Sequence, residues 1–169
     1  MLGKYSASLR CYSKAHRIFA KRKDLFGLAY SFCGMGSALR MTGRLEDAHS
    51  NYLKAAGLYR KIGDKWNLAY SLWGLAMLFQ MRGENGKAEE LIEKMDRIFR
   101  KFDDERGVLY LLLLKINSAF SRGRRRGASG YIAKAGKIIL KYGFLEEKKY
   151  LSAAKKRLKE KKWEPVIFP

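Results

Sequence analysis

Apolar residues along most of the chain recur at helical spacing, and the same pattern returns every forty residues. Residues 24–63, 64–103 and 104–143 each contain two stretches in which apolar positions follow three- and four-residue steps, as in amphipathic helices. Each segment begins with an aspartate that can cap a helix and has a glycine near its middle that can end one. The pattern therefore predicts three helix pairs. Because a single pair cannot cover its own apolar stripe, the pairs are expected to stack on one another.

The segment before the first pair resembles the second half of a pair. After a shift of forty residues, Tyr12 corresponds to Tyr52 and Asp24 corresponds to Asp64. Residues 1–23 are therefore predicted to form a half repeat that consists of the second helix only. Its apolar face has lost the helix that would normally cover it, so self-association through this helix is a possible consequence.

The segment after the third pair predicts one more helix. Residues 144–162 carry apolar positions on one side and Lys and Arg on the others, as expected of a capping helix that faces solvent. Residues 163–169 contain both prolines of the chain and are predicted to be an extended tail, because Pro165 cannot continue a helix.

The net charge of +20 is unevenly distributed. Residues 24–105 contain twelve basic and twelve acidic residues, whereas residues 106–169 contain seventeen Lys and Arg against four acids. Clustered cations of this kind contact phosphates or acidic protein surfaces, or keep the protein in solution by self-repulsion. Aromatic residues are not interleaved with these cations, which disfavours a base-stacking platform. The predicted basic patch comprises Arg122, Arg124, Arg125, Arg126, Lys134, Lys137, Lys141, Lys155, Lys156 and Arg157.

Motifs for catalysis, cofactor binding or metal binding are absent from the sequence. There is no phosphate-binding loop, no HExxH and no GxSxG. Cys11 and Cys33 show no metal-ligand spacing and are expected to be free, at least partly buried thiols. His16 and His49 stand alone on predicted helices and are expected to be helix-surface residues. We therefore predict no enzyme, no cofactor and no metal.

The residue types within each forty-residue segment resemble the tetratricopeptide repeat. The resemblance is specific in the first two segments and looser in the third, and it departs from the usual pattern in having a period of forty instead of ~34 residues. Arg60, Arg100 and Leu140 stand where a proline usually ends the second helix, so the segments are similar to a longer variant of the repeat. In the first segment the pattern falls on Phe32, Met35, Gly36, Leu39, Gly43, Ala48, Tyr52 and Ala55.

This resemblance implies an all-α fold, a right-handed superhelical solenoid of antiparallel helix pairs, and a non-catalytic adaptor or scaffold that binds proteins. In such proteins the first helix of each pair lines the concave face, which would hold a peptide or helix of a partner. Packing between repeats is the alternative role for the tyrosines at positions 30, 70 and 110. The implied groove residues are Tyr30, Cys33, Ser37, Arg40, Tyr70, Trp73, Met77, Gln80, Tyr110, Leu113, Asn117 and Phe120.

Two functions from different classes follow from these observations. The first is binding of a partner protein on the aromatic concave face, and the second is phosphate contact with nucleic acid through the basic patch. An acidic protein is a further partner for the basic ends. The longest apolar run, Val108–Leu114, is far shorter than the ~18–20 residues that cross a bilayer. We therefore expect no membrane partner and a cytoplasmic location.

Overall fold

The structure is a computed structural model that describes residues 2–161, without the side chain of Leu2. Within these residues it contains eight α-helices and no strand, so the prediction of an all-α helical-repeat fold is confirmed. The predicted extended tail, residues 163–169, lies outside the described residues, as does Lys162. The helices are α1 Leu2–Arg22, α2 Leu25–Met41, α3 Leu45–Lys61, α4 Lys65–Met81, α5 Asn85–Lys101, α6 Glu105–Ser121, α7 Arg125–Tyr142 and α8 Leu145–Glu160.

Local chemistry explains where these helices begin and end. Asp24, Asp64 and Asp104 each accept a hydrogen bond over 2.9 Å from the backbone N–H three residues further on, which caps α2, α4 and α6. Left-handed backbone conformations, which glycine adopts without a Cβ penalty, follow the ends of α2, α3, α4, α6 and α7. The glycines at these ends have φ between 63° and 80° and are Gly43, Gly63, Gly83, Gly123 and Gly143.

The described residues fall into two compact units, which we call the first unit (residues 2–78) and the second unit (residues 79–161). In the first unit α1 packs on α2 and α2 packs on α3. In the second unit α5 packs on α6, α6 on α7 and α7 on α8. None of the helices that the structure describes is long and apolar enough to span a membrane.

Tyrosine rings against glycines set the spacing between helices in the first unit. A Cβ on Gly34 would overlap the ring of Tyr12, and a Cβ on Gly74 would overlap the ring of Tyr52. The two contacts are related by the forty-residue shift, so α1 meets α2 in the same way that α3 meets α4. Glycine at these positions allows a large ring to lie directly on the backbone of the neighbouring helix, which brings the helices close together.

Helix α6 forms most of the core of the second unit. Leu109, Ile116 and Phe120 are buried, and so is every residue from Leu111 to Leu114. At the start of the helix Gly107 lies against the ring of Phe99. A helix that is apolar on nearly all sides is expected in the interior of a helical layer, and its neighbours α5, α7 and α8 carry the charged residues.

Candidate partner-binding site

The first unit contains an open cavity of about 320 Å³ whose walls are mainly aromatic. We call it the aromatic pocket. Residues from α1, α2, α3 and α4 contribute to it, and all of them are uncharged residue types. Its lining residues are Tyr12, Tyr30, Cys33, Gly34, Ser37, Tyr59, Trp66, Asn67 and Tyr70.

Two pairs of rings form much of the wall. The rings of Tyr12 and Tyr30 meet edge to face, with their centroids 6.0 Å apart. Trp66 and Tyr70, one helical turn apart on α4, make a second edge-to-face pair at 4.9 Å. Such pairs hold their rings in defined orientations. Tyr30 is 51% exposed and Trp66 is 40% exposed, so both present aromatic surface to solvent.

The ring of Tyr59 departs from the contact that its counterpart makes forty residues earlier. That counterpart is Phe19 of α1, whose ring lies directly on Gly27 of α2. Forty residues later the glycine is replaced by Asn67, whose side-chain amide donates to Asp64 over 2.7 Å. Because the asparagine side chain fills this place, the ring of Tyr59 cannot lie as Phe19 does. It forms part of the pocket wall instead.

Burial favours the neutral forms of three titratable groups in the pocket, Tyr12, Cys33 and Tyr59. Burial raises the pKa of Tyr59, and burial together with the neighbouring Tyr30 raises the pKa of Tyr12. Burial also raises the pKa of the Cys33 thiol, so this cysteine is not a reactive thiolate. The hydroxyl groups of Ser37 and Tyr52 are 3.0 Å apart and share a hydrogen bond. The pocket therefore offers apolar area edged by neutral hydrogen-bonding groups.

The twelve residues of the predicted groove fall into three groups in the structure. Tyr30, Cys33, Ser37 and Tyr70 line the aromatic pocket. Trp73 and Tyr110 are partly buried. The other six are buried, so their side chains contribute to packing between helices and do not form an exposed groove. These six are Arg40, Met77, Gln80, Leu113, Asn117 and Phe120.

The predicted polar groups of the second unit hydrogen-bond inside the protein. The side-chain amide of Gln80 donates to the Leu114 carbonyl over 2.9 Å and lies 3.0 Å from the Ser118 hydroxyl. The side-chain amide of Asn117 donates to the side-chain oxygen (Oε1) of Gln80 over 3.4 Å. These hydrogen bonds satisfy buried polar groups, whose burial without a partner would destabilise the folded protein. They tie the end of α4 to α6.

The third tyrosine of the predicted column contacts the last helix. The Tyr110 hydroxyl donates to the carboxylate of Glu147 on α8 over 3.2 Å, and Arg106 lies 3.4 Å from the same carboxylate oxygen. Glu147 is buried, with 6% of its surface exposed. Tyr110 therefore takes part in packing of α6 against α8, which is the alternative that the sequence left open for the tyrosine column.

Sequence reasoning missed five residues of the pocket: Tyr12, Gly34, Tyr59, Trp66 and Asn67. Two of them carry a detectable signal. Trp66 lies one turn before Tyr70 on the same helix face, and Asn67 interrupts the glycine found forty residues before and after it. Tyr12 and Tyr59 lie on second helices of their pairs, which the family resemblance did not assign to the concave face.

The predicted basic patch is distributed over α7, α8 and the turn before α7. Most of its side chains are exposed, whereas Arg157 is partly buried. Arg122 forms an ion pair with Glu89 of α5 at 2.6 Å. Arg122 and Arg124 also line a second cavity of about 400 Å³, whose other walls include Glu93, Lys115 and Tyr131. Charges of both signs line this cavity, so it does not present a purely cationic site.

The isolated cysteines and histidines have ordinary surroundings. Cys11 is exposed, contrary to the expectation of a partly buried thiol, and Cys33 is partly buried; both are free. His16 is not a plain surface residue, because its Nδ1 lies 2.9 Å from the Ser31 hydroxyl and its ring lies 4.5 Å from that of Phe32. Within residues 2–161 no group of three or more His, Cys, Asp or Glu side chains is arranged to hold a metal ion.

Comparison with known families agrees with the helix-pair arrangement. The family model described as "Tetratricopeptide repeat" matches residues 28–101, which include α3, α4 and α5 in full and most of α2. Residues 28–101 of the chain consist of tetratricopeptide repeats. No curated protein and no solved structure matches it.

Members of this family act as protein–protein interaction scaffolds, and their repeats are typically non-catalytic. Protein partners are therefore the class of partner that the matched repeats indicate for this chain. Most of the aromatic pocket, from Tyr30 to Tyr70, lies within the matched residues.

Proposed function

We propose that this chain binds a short segment of a partner protein in the aromatic pocket of its first unit. The observation that carries the proposal is the cluster of five aromatic side chains around a neutral cavity of about 320 Å³. Aromatic residues supply large contact areas at little conformational cost, and they are enriched among residues that dominate binding energy. An open cavity with such walls needs an occupant to cover its apolar area.

The chemistry of the walls defines the kind of segment that fits. The uncharged lining favours an apolar or aromatic anchor side chain, because a charged side chain would lose its hydration without gaining an opposite charge. The hydroxyl group of the half-exposed Tyr30 can hydrogen-bond the backbone of an extended segment. The partner is therefore expected to present an apolar residue within an accessible, extended stretch.

Selection from a displayed random-peptide library tests this proposal and does not require the partner to be identified first. Peptides enriched on the wild-type protein should share an apolar or aromatic anchor. Replacing Tyr30 or Trp66 by alanine should weaken their affinity by about tenfold, the effect of losing ~1.4 kcal/mol at a central aromatic contact. Isothermal titration calorimetry with the enriched peptides measures this change.

The control variant is Phe102→Ala, which removes an aromatic side chain of similar exposure (48%) from the second unit. Its peptide affinity should equal that of the wild type. Circular dichroism should show the same helix content in all variants, since Tyr30, Trp66 and Phe102 are substantially exposed. Peptides that bind Tyr30→Ala and Trp66→Ala as tightly as the wild type would contradict the proposal.

A further inference from the structure

Large apolar side chains are exposed to solvent around the turn between α7 and α8. Leu140 is 85% exposed, Leu145 is 70% exposed and Tyr142 is 41% exposed. Gly143, in the left-handed conformation at φ 71°, reverses the chain between them. We call Leu140, Tyr142 and Leu145 the apolar tip. Single exposed apolar residues are common on protein surfaces, whereas three within six residues around one turn form a local apolar patch of the kind found at interaction sites.

The neighbouring turn of the second unit extends this surface. The Tyr142 hydroxyl donates to Glu105 at the start of α6 over 3.2 Å, and the guanidinium of Arg106 lies 4.7 Å from the centre of the Phe144 ring. The turn before α6 therefore lies beside the apolar tip. Its Phe102 side chain is 48% exposed. The same end of the second unit thus presents apolar side chains from two adjacent turns.

Cations surround the apolar tip on both helices. Lys137 and Lys141 on α7 and Lys148 on α8 are exposed within about two helical turns of it. Helix α7 contains no acidic residue. On α8 the exposed acid Glu146 is paired with Lys149 at 2.9 Å, so its charge is locally balanced. Asp103 is the exposed acid of the neighbouring turn. The lysine side chains can bury their methylene groups while their ammonium groups remain in water.

We propose that this end of the second unit docks on a membrane surface that carries anionic lipids. Leu140 and Leu145 enter the boundary between headgroups and acyl chains, and Tyr142 lies at headgroup depth, where amphipathic rings are favoured. Lys137, Lys141 and Lys148 contact the lipid phosphates and carboxylates. The proposal differs from the sequence prediction of no membrane partner, because surface contact requires no helix that spans the bilayer.

The type of residue favours a lipid surface over the other partners of a basic patch. Lysine is depleted in protein interfaces, whose energetic centres are rich in Trp, Tyr and Arg. Exposed leucines contribute nothing to phosphate contacts with nucleic acid, for which arginine is the preferred cation. Four of the five arginines of the patch lie at the start of α7 or in the turn before it: Arg126 is fourteen residues before Leu140, which is about 21 Å along a helix at 1.5 Å per residue.

Vesicle co-sedimentation tests this inference with the full chain. The wild type should sediment with vesicles of phosphatidylcholine and phosphatidylserine, and poorly with phosphatidylcholine alone, because the lysines add electrostatic attraction to anionic lipids. The double variant Leu140→Ser/Leu145→Ser should reduce the partition coefficient at least about tenfold, since two leucine side chains lose their burial. High salt should weaken wild-type binding by screening the lysines.

The matched control is Leu53→Ser, which removes a 51% exposed leucine from α3 in the first unit and should leave vesicle binding unchanged. Equal thermal unfolding of the three proteins shows that the tip variant is folded. Failure of the wild type to bind phosphatidylserine vesicles would overturn the inference. Undiminished vesicle binding by the tip variant would also overturn it, since the contact would then be electrostatic alone. The same holds if the tip substitutions weaken binding of a short RNA as much as they weaken binding to vesicles.

Discussion

At the scale of single residues, glycines decide how closely the helices of the first unit approach. Gly74 and Gly57 illustrate the contrast, because both are helical yet only the first lies under a ring. A Cβ on Gly74 would overlap Tyr52, whereas nothing lies within 4 Å of a Cβ on Gly57. Tyr52 is 1% exposed and its hydroxyl is hydrogen-bonded to Ser37, so the ring has little freedom to move aside.

Alanine substitution should therefore have opposite effects at these two glycines. We expect Gly74→Ala to lower the free energy of unfolding by about 1–3 kcal/mol, because the new methyl group overpacks the contact with Tyr52. Gly57→Ala should raise it by roughly 0.5–1 kcal/mol, since alanine loses less conformational entropy in a helix. Urea unfolding followed by circular dichroism measures both. A stabilising effect at Gly74 would refute the proposed ring-on-backbone packing.

At the scale of secondary-structure elements, one buried carboxylate connects α8 to α6. Glu147 lies between Tyr110 and Arg106, and it is nearly inaccessible to solvent. Burial, with the nearby Glu147 charge, raises the pKa of Tyr110 to about 12. The folded protein therefore holds this proton more tightly than the unfolded chain, whose tyrosines titrate near ~10. The contribution of this group to stability is complete below pH ~10 and is lost as the pH rises toward the folded value.

Replacing Tyr110 by phenylalanine should make stability less dependent on alkaline pH. The wild-type free energy of unfolding should fall between pH ~10 and ~12, and part of this decrease should be absent from Tyr110→Phe, which has no proton to lose. At neutral pH the variant should be less stable by roughly 1–2 kcal/mol, because Glu147 loses a hydrogen bond. Urea unfolding at a series of pH values measures both effects.

The control is Tyr5→Phe on α1, far in sequence from this contact. It should not reproduce the loss of stability at neutral pH, because it leaves the hydrogen bond from Tyr110 to Glu147 intact. Identical pH profiles for Tyr110→Phe and the wild type would show that Tyr110 does not couple α6 to α8 in this way.

At the scale of the whole molecule, positive charges greatly outnumber negative charges. The chain carries 36 Lys and Arg against 16 Asp and Glu. The ion pairs Arg44–Asp47 and Lys149–Glu146 join exposed side chains, and each contributes little to stability. Repulsion among the remaining cations, which are concentrated after residue 106, opposes the compact state. The excess of cations therefore outweighs the few surface pairs.

Moderate salt should consequently stabilise the protein. Raising NaCl from about 0.01 M to about 0.1 M shortens the screening length from ~30 Å to ~10 Å and weakens the repulsion. We expect the unfolding temperature to rise by about 2–4 °C, which corresponds to roughly 1 kcal/mol for a chain of this length. Differential scanning calorimetry measures the shift. Sucrose at matched osmolality is the control for effects that do not depend on charge, and an unfolding temperature that falls with salt would contradict the expectation.

The amino-acid sequence by itself determined the helices and their ends. Helical periodicity, the capping aspartates and the glycines at positions 43, 63, 83, 123 and 143 act over a few residues, so their consequences can be derived locally. The forty-residue repeat and the family resemblance followed from the same local pattern. For this reason the predicted all-α fold holds in the structure.

Only the tertiary structure decided which of the repeated positions are accessible. Tyr30, Tyr70 and Tyr110 are equivalent in sequence, yet the first two line the aromatic pocket and the third contacts Glu147 of α8. Likewise Leu140 is 85% exposed although its residue type predicts burial. Exposure depends on which distant segments cover a side chain, and that is not encoded in the spacing along one helix.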